Sequence, residues 1–346
     1  MTSPSQPNTD DAGATRAHEA HGSDVDSPGR DVAPSVTKTS TVDPLAGFPV
    51  PRVEIERLID AALAEDIGPG DVTTLATVAP EAEATAHMLA KAPGRIAGLP
   101  VAAAAFARLD PRVQFEFMAA EGTSISMLPQ IIATIHGPAR SILTGERVAL
   151  NIVQRLSGVA AMAARCAKAV EGTKARVLDT RKTTPGMRAL EKYAVRMGGA
   201  HNHRTGLYDG ILIKDNHIRA AGGITAAVGA ARRYAQPLVR VEVEVSTRAE
   251  LDEALEAGAD MILLDNMKPS MLREAVALVD GRALLEASGG ITLQNLREVA
   301  ETGVDFISLG AITHSAPALD ISLDIIGNQA KGISWWGFTD SVQDPI

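Results

Sequence analysis

From residue 175 onward, short apolar runs recur at intervals of about 22–34 residues, the size of a βα unit. They are Val177–Leu178, Ile211–Ile213, Leu238–Val245, Met261–Leu264, Ala283–Leu285 and Phe306–Leu309. Helical periodicity fills the gaps at Ala220–Tyr234, Arg248–Ala257, Ser270–Val279 and Leu293–Glu301. Strands that are apolar on both faces need helices to cover them, which implies a parallel sheet. Ala, Val, Leu and Ile carry this core, since aromatic residues are only 3% of the chain. Six such runs, with one more strand expected, predict an α/β fold built on an irregular TIM-like barrel. A doubly wound open sheet is the alternative. Both place function at the carboxyl ends of the strands.

Upstream the pattern changes. Val53–Leu63 carries a helical stripe that stops before Gly68-Pro-Gly70. Thr85–Ala90, Val113–Met118 and Ile131–His136 read as strands, with a helix over Val101–Leu109 and glycines at 94, 98, 122 and 137 between them. A small α+β layer is expected here, followed by a long helix over Glu146–Val170 that contains Gly158. Residues 1–45 have few large apolar side chains and are expected to be disordered, because burial there cannot offset ordering entropy.

Several classes are excluded. A net charge of -9 argues against nucleic acid as a partner. The single cysteine, Cys166, permits no disulfide within the chain and reads as a small buried residue. No apolar run reaches the ~20 residues that span a bilayer, so no membrane partner is expected. No signal peptide is legible at the start, and cytoplasm is the expected compartment.

The strand ends of this acidic chain nevertheless collect cations. Asp179-Thr-Arg-Lys-Thr-Thr-Pro-Gly186 puts Arg181 and Lys182 just past the first apolar run, and Lys214 follows the second. Glu244, Asp265, Ser288-Gly289-Gly290, and Gly310 with His314 close the others. The glycine pair before a helix expected near Thr292 suits a phosphate, because free backbone N–H groups attract anions. Glu242 and Glu244 share parity, so both face the barrel interior or both face the helices. Glu244 and Asp265 would serve Mg2+, ribose hydroxyls or a structural ion pair equally well. His201, His203 and His217 suit an anion better than a metal, with Arg204 adjacent to repel a cation. Lys214 also permits Schiff-base chemistry.

Taken together these residues resemble the quinolinate phosphoribosyltransferase family over roughly residues 50–328. The motifs are Gly145-Glu-Arg-Val-Ala-Leu-Asn151, Asp179–Gly186, Gly198-Gly-Ala-His-Asn-His-Arg204, Ile213-Lys-Asp-Asn-His217, Val241-Glu-Val-Glu-Val245, Leu264-Asp-Asn266, Glu286-Ala-Ser-Gly-Gly-Ile291 and Ser308-Leu-Gly-Ala-Ile-Thr-His314. Eight motifs in order, each at a strand end or helix start, make the resemblance specific.

The resemblance implies an N-terminal α/β sandwich over residues 46–150, completed by about 317–330, beside an α/β barrel over 151–316. It leaves 331–346, with Trp335-Trp336, as a tail. It implies a homodimer with shared active sites, Arg147 arriving from the neighbouring copy. Quinolinate and phosphoribosyl pyrophosphate, with Mg2+, would give nicotinate mononucleotide, pyrophosphate and CO2, a step of NAD biosynthesis. Arg147, Arg181, His203, Arg204 and Lys214 would bind the quinolinate carboxylates. Lys182 and Lys214 would contact phosphate, Glu244 and Asp265 would serve ribose and metal, and Ser288, Gly289, Gly290, Gly310 and His314 would line the phosphate end. The rival readings are a transferase for another ring acid, a Schiff-base aldolase using Lys214, and a non-catalytic anion-binding protein.

Overall fold

The computed structural model describes residues 43–326. Nearly all of the expected disordered tail, and the segment holding Trp335 and Trp336, lie outside those residues. In α1 (Arg52–Ile67), Ile55, Ile59 and Leu63 are buried at helical spacing, and Gly68 ends the helix. In α2 (Val72–Thr77) the Asp71 carboxylate accepts the Thr74 N–H and caps the first turn. Then come β1 (Glu83–Ala90), β2 (Gly94–Arg95), α3 (Leu99–Leu109), β3 (Gln114–Phe117), β4 (Ser124–Ile125), β5 (Gln130–Pro138) and α4 (Ala139–Ala169). The second half runs β6 (Arg176–Leu178), α5 (Arg188–Met197), β7 (Ile211–Ile213), α6 (Asp215–Ala221), α7 (Ile224–Tyr234), β8 (Val241–Val245) and α8 (Arg248–Glu256). It continues β9 (Met261–Asp265), α9 (Pro269–Val279), β10 (Leu284–Ser288), α10 (Leu296–Ala300), β11 (Phe306–Ser308), α11 (Ala311–His314) and β12 (Ile321–Ile326).

The first half forms an antiparallel sheet in the order β12-β1-β5-β3. Ala86, Met88 and Ala90 alternate inward along β1, the period of a sheet with one buried face. They meet Ile96, Leu99, Phe106 and Ile142 in one core. The chain returns to this sheet through β12. On the way it crosses α4 at Gly158, where an added Cβ would stand 2.0 Å from the Pro317 carbonyl oxygen. A mid-helix glycine costs about 1 kcal/mol against alanine, and here the crossing requires it.

The second sheet is parallel, in the order β6-β11-β10-β9-β8-β7. Its first strand pairs with its last, which is the order of a barrel with one open seam, between β6 and β7. His201 lies at that seam. Its N–H donates to the Val177 carbonyl at 2.9 Å, and its carbonyl accepts the Asp179 N–H at 3.1 Å. The additional expected strand is therefore a single bridge.

Some boundaries differ from the expectations. The run at Leu238 is not yet strand: Leu238 is 97% exposed in a turn where the Val239 N–H donates to the Gln236 carbonyl. The long helix starts at Ala139, directly after β5 ends at Pro138. The helix after Gly290 begins only at Leu296, behind an Asn295 side chain that accepts the Thr292 N–H. It supplies no helix start to the Ser288–Gly290 loop.

Candidate active site

Strand register decides which side chains share a face. Leu212 aligns with Glu242, Glu242 with Met261, and Met261 with Leu284. Side chains two residues apart on a strand share a face, so Lys214, Glu244, Asp265, Glu286 and Ser288 stand on that side too. Val241, Val243 and Val245 are buried on the other. Glu242 and Glu244 thus face away from the covering helices, which settles the choice left open by parity. The shared face holds two levels: a rim at the strand ends, and a floor beneath it.

At the rim, Lys214 forms an ion pair with Glu244. Asp265 accepts the Asn266 side-chain amide at 2.7 Å. Asn266 takes a left-handed φ of 53°, and its N–H donates to the Ser288 carbonyl at 2.9 Å. Gly289 has φ 85°, and an added Cβ would come 2.3 Å from Asn266 Oδ1. The loops after β9 and β10 are therefore interlocked, with glycine obligatory. A Cβ on Gly310 would meet Lys182 Cδ at 2.9 Å and the His314 ring at 3.1 Å, so these three are neighbours. Thr313 Oγ1 donates to the Lys182 carbonyl at 2.8 Å and fixes that turn. Arg181 and Lys182 are exposed, and among the described residues their side chains have no hydrogen-bond or ion-pair partner. Arg204 donates to the Gly210 carbonyl at 3.0 Å. Burial, and then the repulsion of nearby Arg181, lower its pKa. Arg181 and Arg204 therefore lie within electrostatic reach of each other at one end of the rim.

The floor is built of buried charges. Asp179 accepts from Lys192 Nζ, from the Asn202 amide at 2.6 Å and from the His203 N–H at 2.8 Å. Lys192 also donates to the His203 carbonyl at 2.9 Å. Burial raises the Asp179 pKa and lowers that of Lys192, against the attraction between them. This network ties the segment carrying His203 and Arg204 to the end of β6. His203 Nε2 stands 3.2 Å from Glu242 Oε2 and 3.4 Å from Glu286 Oε2, while Nδ1 accepts the Arg204 N–H at 2.7 Å. Neither approach to Nε2 meets hydrogen-bond geometry, and both Glu286 oxygens, with Glu242 Oε1, are buried without a partner. Burial lowers the His203 pKa, but the two carboxylates outweigh it and raise the pKa to about 10. Geometry opposes a second ring proton, since Nδ1 is already an acceptor.

Not every expected residue joins the site. Arg147 is exposed on α4, with Glu146 at 3.7 Å. Among the described residues it has no bond to the rim. His217 Nδ1 accepts the Lys214 N–H at 2.9 Å, and His201 is exposed at the seam, so the three histidines do not converge. Among the described residues, three potential ligand atoms converge at His203, Glu242 and Glu286, a group the sequence reading did not single out. Sequence reasoning gave no role to Asp179, Lys192 or Glu286. Their signal was a charge inside an apolar pattern, as in Leu284-Leu-Glu-Ala287. Cys166 is buried, and burial raises its thiol pKa to about 11. A cavity of about 590 Å³ lies elsewhere, between β2, β4 and α4, with Ile125, Ala161 and Leu293 among its lining. The rim gathers the chemistry instead.

Fold and rim together define a two-domain α/β protein that gathers cationic side chains at its strand ends. Both halves match one family: the quinolinate phosphoribosyl transferase N-terminal domain over residues 71–157, and its C-terminal domain over residues 159–324. The chain belongs to the quinolinate phosphoribosyl transferase family. It is 45% identical over 274 residues to a probable nicotinate-nucleotide pyrophosphorylase [carboxylating] of Bacillus subtilis, covering 79% of this chain and 94% of that one. A quinolinate phosphoribosyltransferase [decarboxylating] of Nicotiana tabacum is 42% identical, with 80% and 83% covered. The solved nicotinate-nucleotide pyrophosphorylase of Francisella tularensis superimposes with a TM-score of 0.77 at 40% identity, covering 80% of this chain and 98% of that one.

Proposed function

We propose that this protein transfers phosphoribosyl from phosphoribosyl pyrophosphate to quinolinate with loss of CO2, giving nicotinate mononucleotide and pyrophosphate. The observation that carries the reading is the gathering of four cations at the strand ends, Arg181, Lys182, Arg204 and Lys214, with the Arg181 and Lys182 side chains exposed. Repelling guanidiniums gain most from an anion with two carboxylates, each suited to a planar fork. Family membership supplies the substrate class. Lys214 is paired with Glu244 rather than left free as a nucleophile, which disfavours Schiff-base chemistry.

In this mechanism the arginines orient the ring so that its nitrogen attacks the ribose anomeric carbon as pyrophosphate leaves. Positive charge develops on ribose and negative charge on the leaving group. Glu244 and Asp265 face the first, and Lys182 with the Ser288–Gly290 and Gly310 loops faces the second. Nitrogen made positive by ribosylation stabilises the carbanion left when the adjacent carboxylate departs. Glu244 and Asp265 would hold Mg2+ mainly through water and substrate oxygens, as that ion prefers, and it would neutralise pyrophosphate charge.

Arg147 enters this scheme from a second copy in a homodimer. Mixed Arg147→Ala and Lys182→Ala subunits should regain activity that neither possesses alone, because one intact site forms per mixed dimer. Mixtures as inactive as their parents would defeat the shared site. No described helix is long and apolar enough to cross a membrane, and the compartment in this reading is the cytoplasm. The deciding assay supplies quinolinate, phosphoribosyl pyrophosphate and Mg2+ and follows nicotinate mononucleotide. No product at saturation would sink the proposal.

A further inference from the structure

We propose that Arg155 and Glu191, an ion pair below the rim, are positioning residues for the phosphate end: they fix the segment carrying Lys182 against the segment carrying Gly310 and His314. The proposal rests on the reading above, in which those segments bind phosphoribosyl pyrophosphate.

The two segments leave neighbouring strands. β6 pairs with β11, and the last backbone bond between them runs from the Leu309 N–H to the Leu178 carbonyl at 3.0 Å. Beyond it, among the described residues, side chains make the hydrogen bonds that join the segments. Thr313 Oγ1 donates to the Lys182 carbonyl at 2.8 Å. A second connection runs through the ion pair. Glu191, on α5, accepts the Thr184 N–H at 3.1 Å and the Thr184 hydroxyl at 2.7 Å. Arg155, on α4, donates to Glu191 at 2.7 Å, to the Ala316 carbonyl at 3.0 Å and to the Thr313 carbonyl. Glu191 thus grips the segment after β6, Arg155 grips the segment after β11, and their attraction closes the link.

This link is enclosed. Glu191 and Thr313 are fully buried and the Arg155 side chain is 24% exposed, so the attraction is weakly screened. All three guanidinium nitrogens are engaged. A buried ion pair adds little net stability over apolar side chains of similar volume. What this pair adds is geometry, since every further bond that either partner makes goes to one of the two segments.

The other end of the same turn is held separately. Arg188 Nε donates to Thr183 Oγ1 at 3.0 Å, and its terminal nitrogens reach the Thr205 carbonyl at 3.3 Å and the Arg181 carbonyl at 3.4 Å. Thr205 follows Arg204, so Arg188 ties together the backbone beside both arginines assigned to quinolinate. Two supports hold one turn, one for each substrate.

That separation supplies the test. Glu191→Gln keeps the shape, and its oxygen can still accept from Arg155, but its amide nitrogen cannot accept the Thr184 N–H. It should raise the KM for phosphoribosyl pyrophosphate about 10- to 100-fold, the scale of a misplaced binding group. The KM for quinolinate should stay within about twofold of wild type, the tolerance for a substrate whose own groups have not moved. Arg188→Lys should show the reverse pattern. Thr313→Val removes the hydroxyl that bonds the Lys182 carbonyl and should raise the phosphoribosyl pyrophosphate KM about fivefold, the worth of one hydrogen bond. It decides the matter should Glu191→Gln fail to fold. Equal weakening of both substrates in Glu191→Gln, or a lowered urea midpoint with both KM values unchanged, would overturn the proposal. So would a Thr313→Val enzyme with wild-type KM values. A wild-type enzyme making no nicotinate mononucleotide would instead overturn the function on which it rests.

Discussion

Floor and rim stand on the same strands, yet their charges are arranged oppositely. On β8, Glu242 is buried against His203, while Glu244, two residues on, reaches exposed Lys214. Floor charges are enclosed and mostly bonded to one another: Asp179 to Lys192, Asn202 and the His203 backbone. At the rim, Arg181 and Lys182 have no such partner among the described residues. A buried charge left unpaired is costly, which is why Asp179 and Lys192 are matched, while Glu286 keeps both oxygens unpartnered. An exposed cation costs little to leave unpaired, and that leaves it free for a substrate. The difference separates residues engaged with one another inside the fold from those left open to a substrate.

The sharpest way to break this comparison is Lys192→Met. It removes the partner of Asp179 while keeping a similar volume. Urea unfolding should show a loss of about 3–5 kcal/mol, the usual penalty for stranding a buried charge. Adding Asp179→Asn should return part of it. If Lys192→Met unfolds with wild-type stability, the floor is not a structural element.

The rim should respond the other way. Lys182→Ala should lower kcat/KM about 100- to 1,000-fold, equivalent to about 2.7–4 kcal/mol of transition-state stabilisation. Its urea midpoint should stay at the wild-type value, since Lys182 is exposed and bonded through its backbone. A large fall in stability with little change in kinetics would erase the distinction between the two levels.

The rim was legible in the sequence because of where its residues fall. Charges and glycines at the ends of apolar runs stand out, and the strand-end positions of Arg181, Lys214, Asp265 and Gly289 follow from counting strands. The floor was harder to read. Parity showed that Glu242 and Glu244 share a face, but only the register with β9 and β10 shows which face. Glu286 lies inside an apolar run, and its contact with His203 joins residues far apart in the chain. α5 escaped notice although Leu190, Tyr193, Ala194 and Met197 have helical spacing, because buried Glu191 and Lys192 interrupt its apolar stripe. Glu191 is buried since Arg155 and Thr184 both bond it, at 2.7 Å each. Such pairings are tertiary facts, absent from any window of sequence.

The smallest effect comes from a pair that shares features of both levels. Asp110, in the N-terminal half, accepts from Arg112 at 2.8 Å and from Ser141 at 2.6 Å. It is itself largely buried, but Arg112 is 72% exposed and screened by water. The Arg112 hydrogen bonds hold the Asp110 carboxyl well below the usual range, against the opposing effect of burial. A depressed carboxylate stabilises the fold above its unfolded pKa of about 3.9, and that contribution is lost as pH falls toward the folded value. Asp110→Asn should therefore cost about 1 kcal/mol at pH 7, discounted for the exposed partner. The gap from wild type should narrow as urea unfolding is repeated at pH 4 and then pH 3. A gap that stays constant with pH would mean the loss is one of packing, and would place Asp110 with neither level.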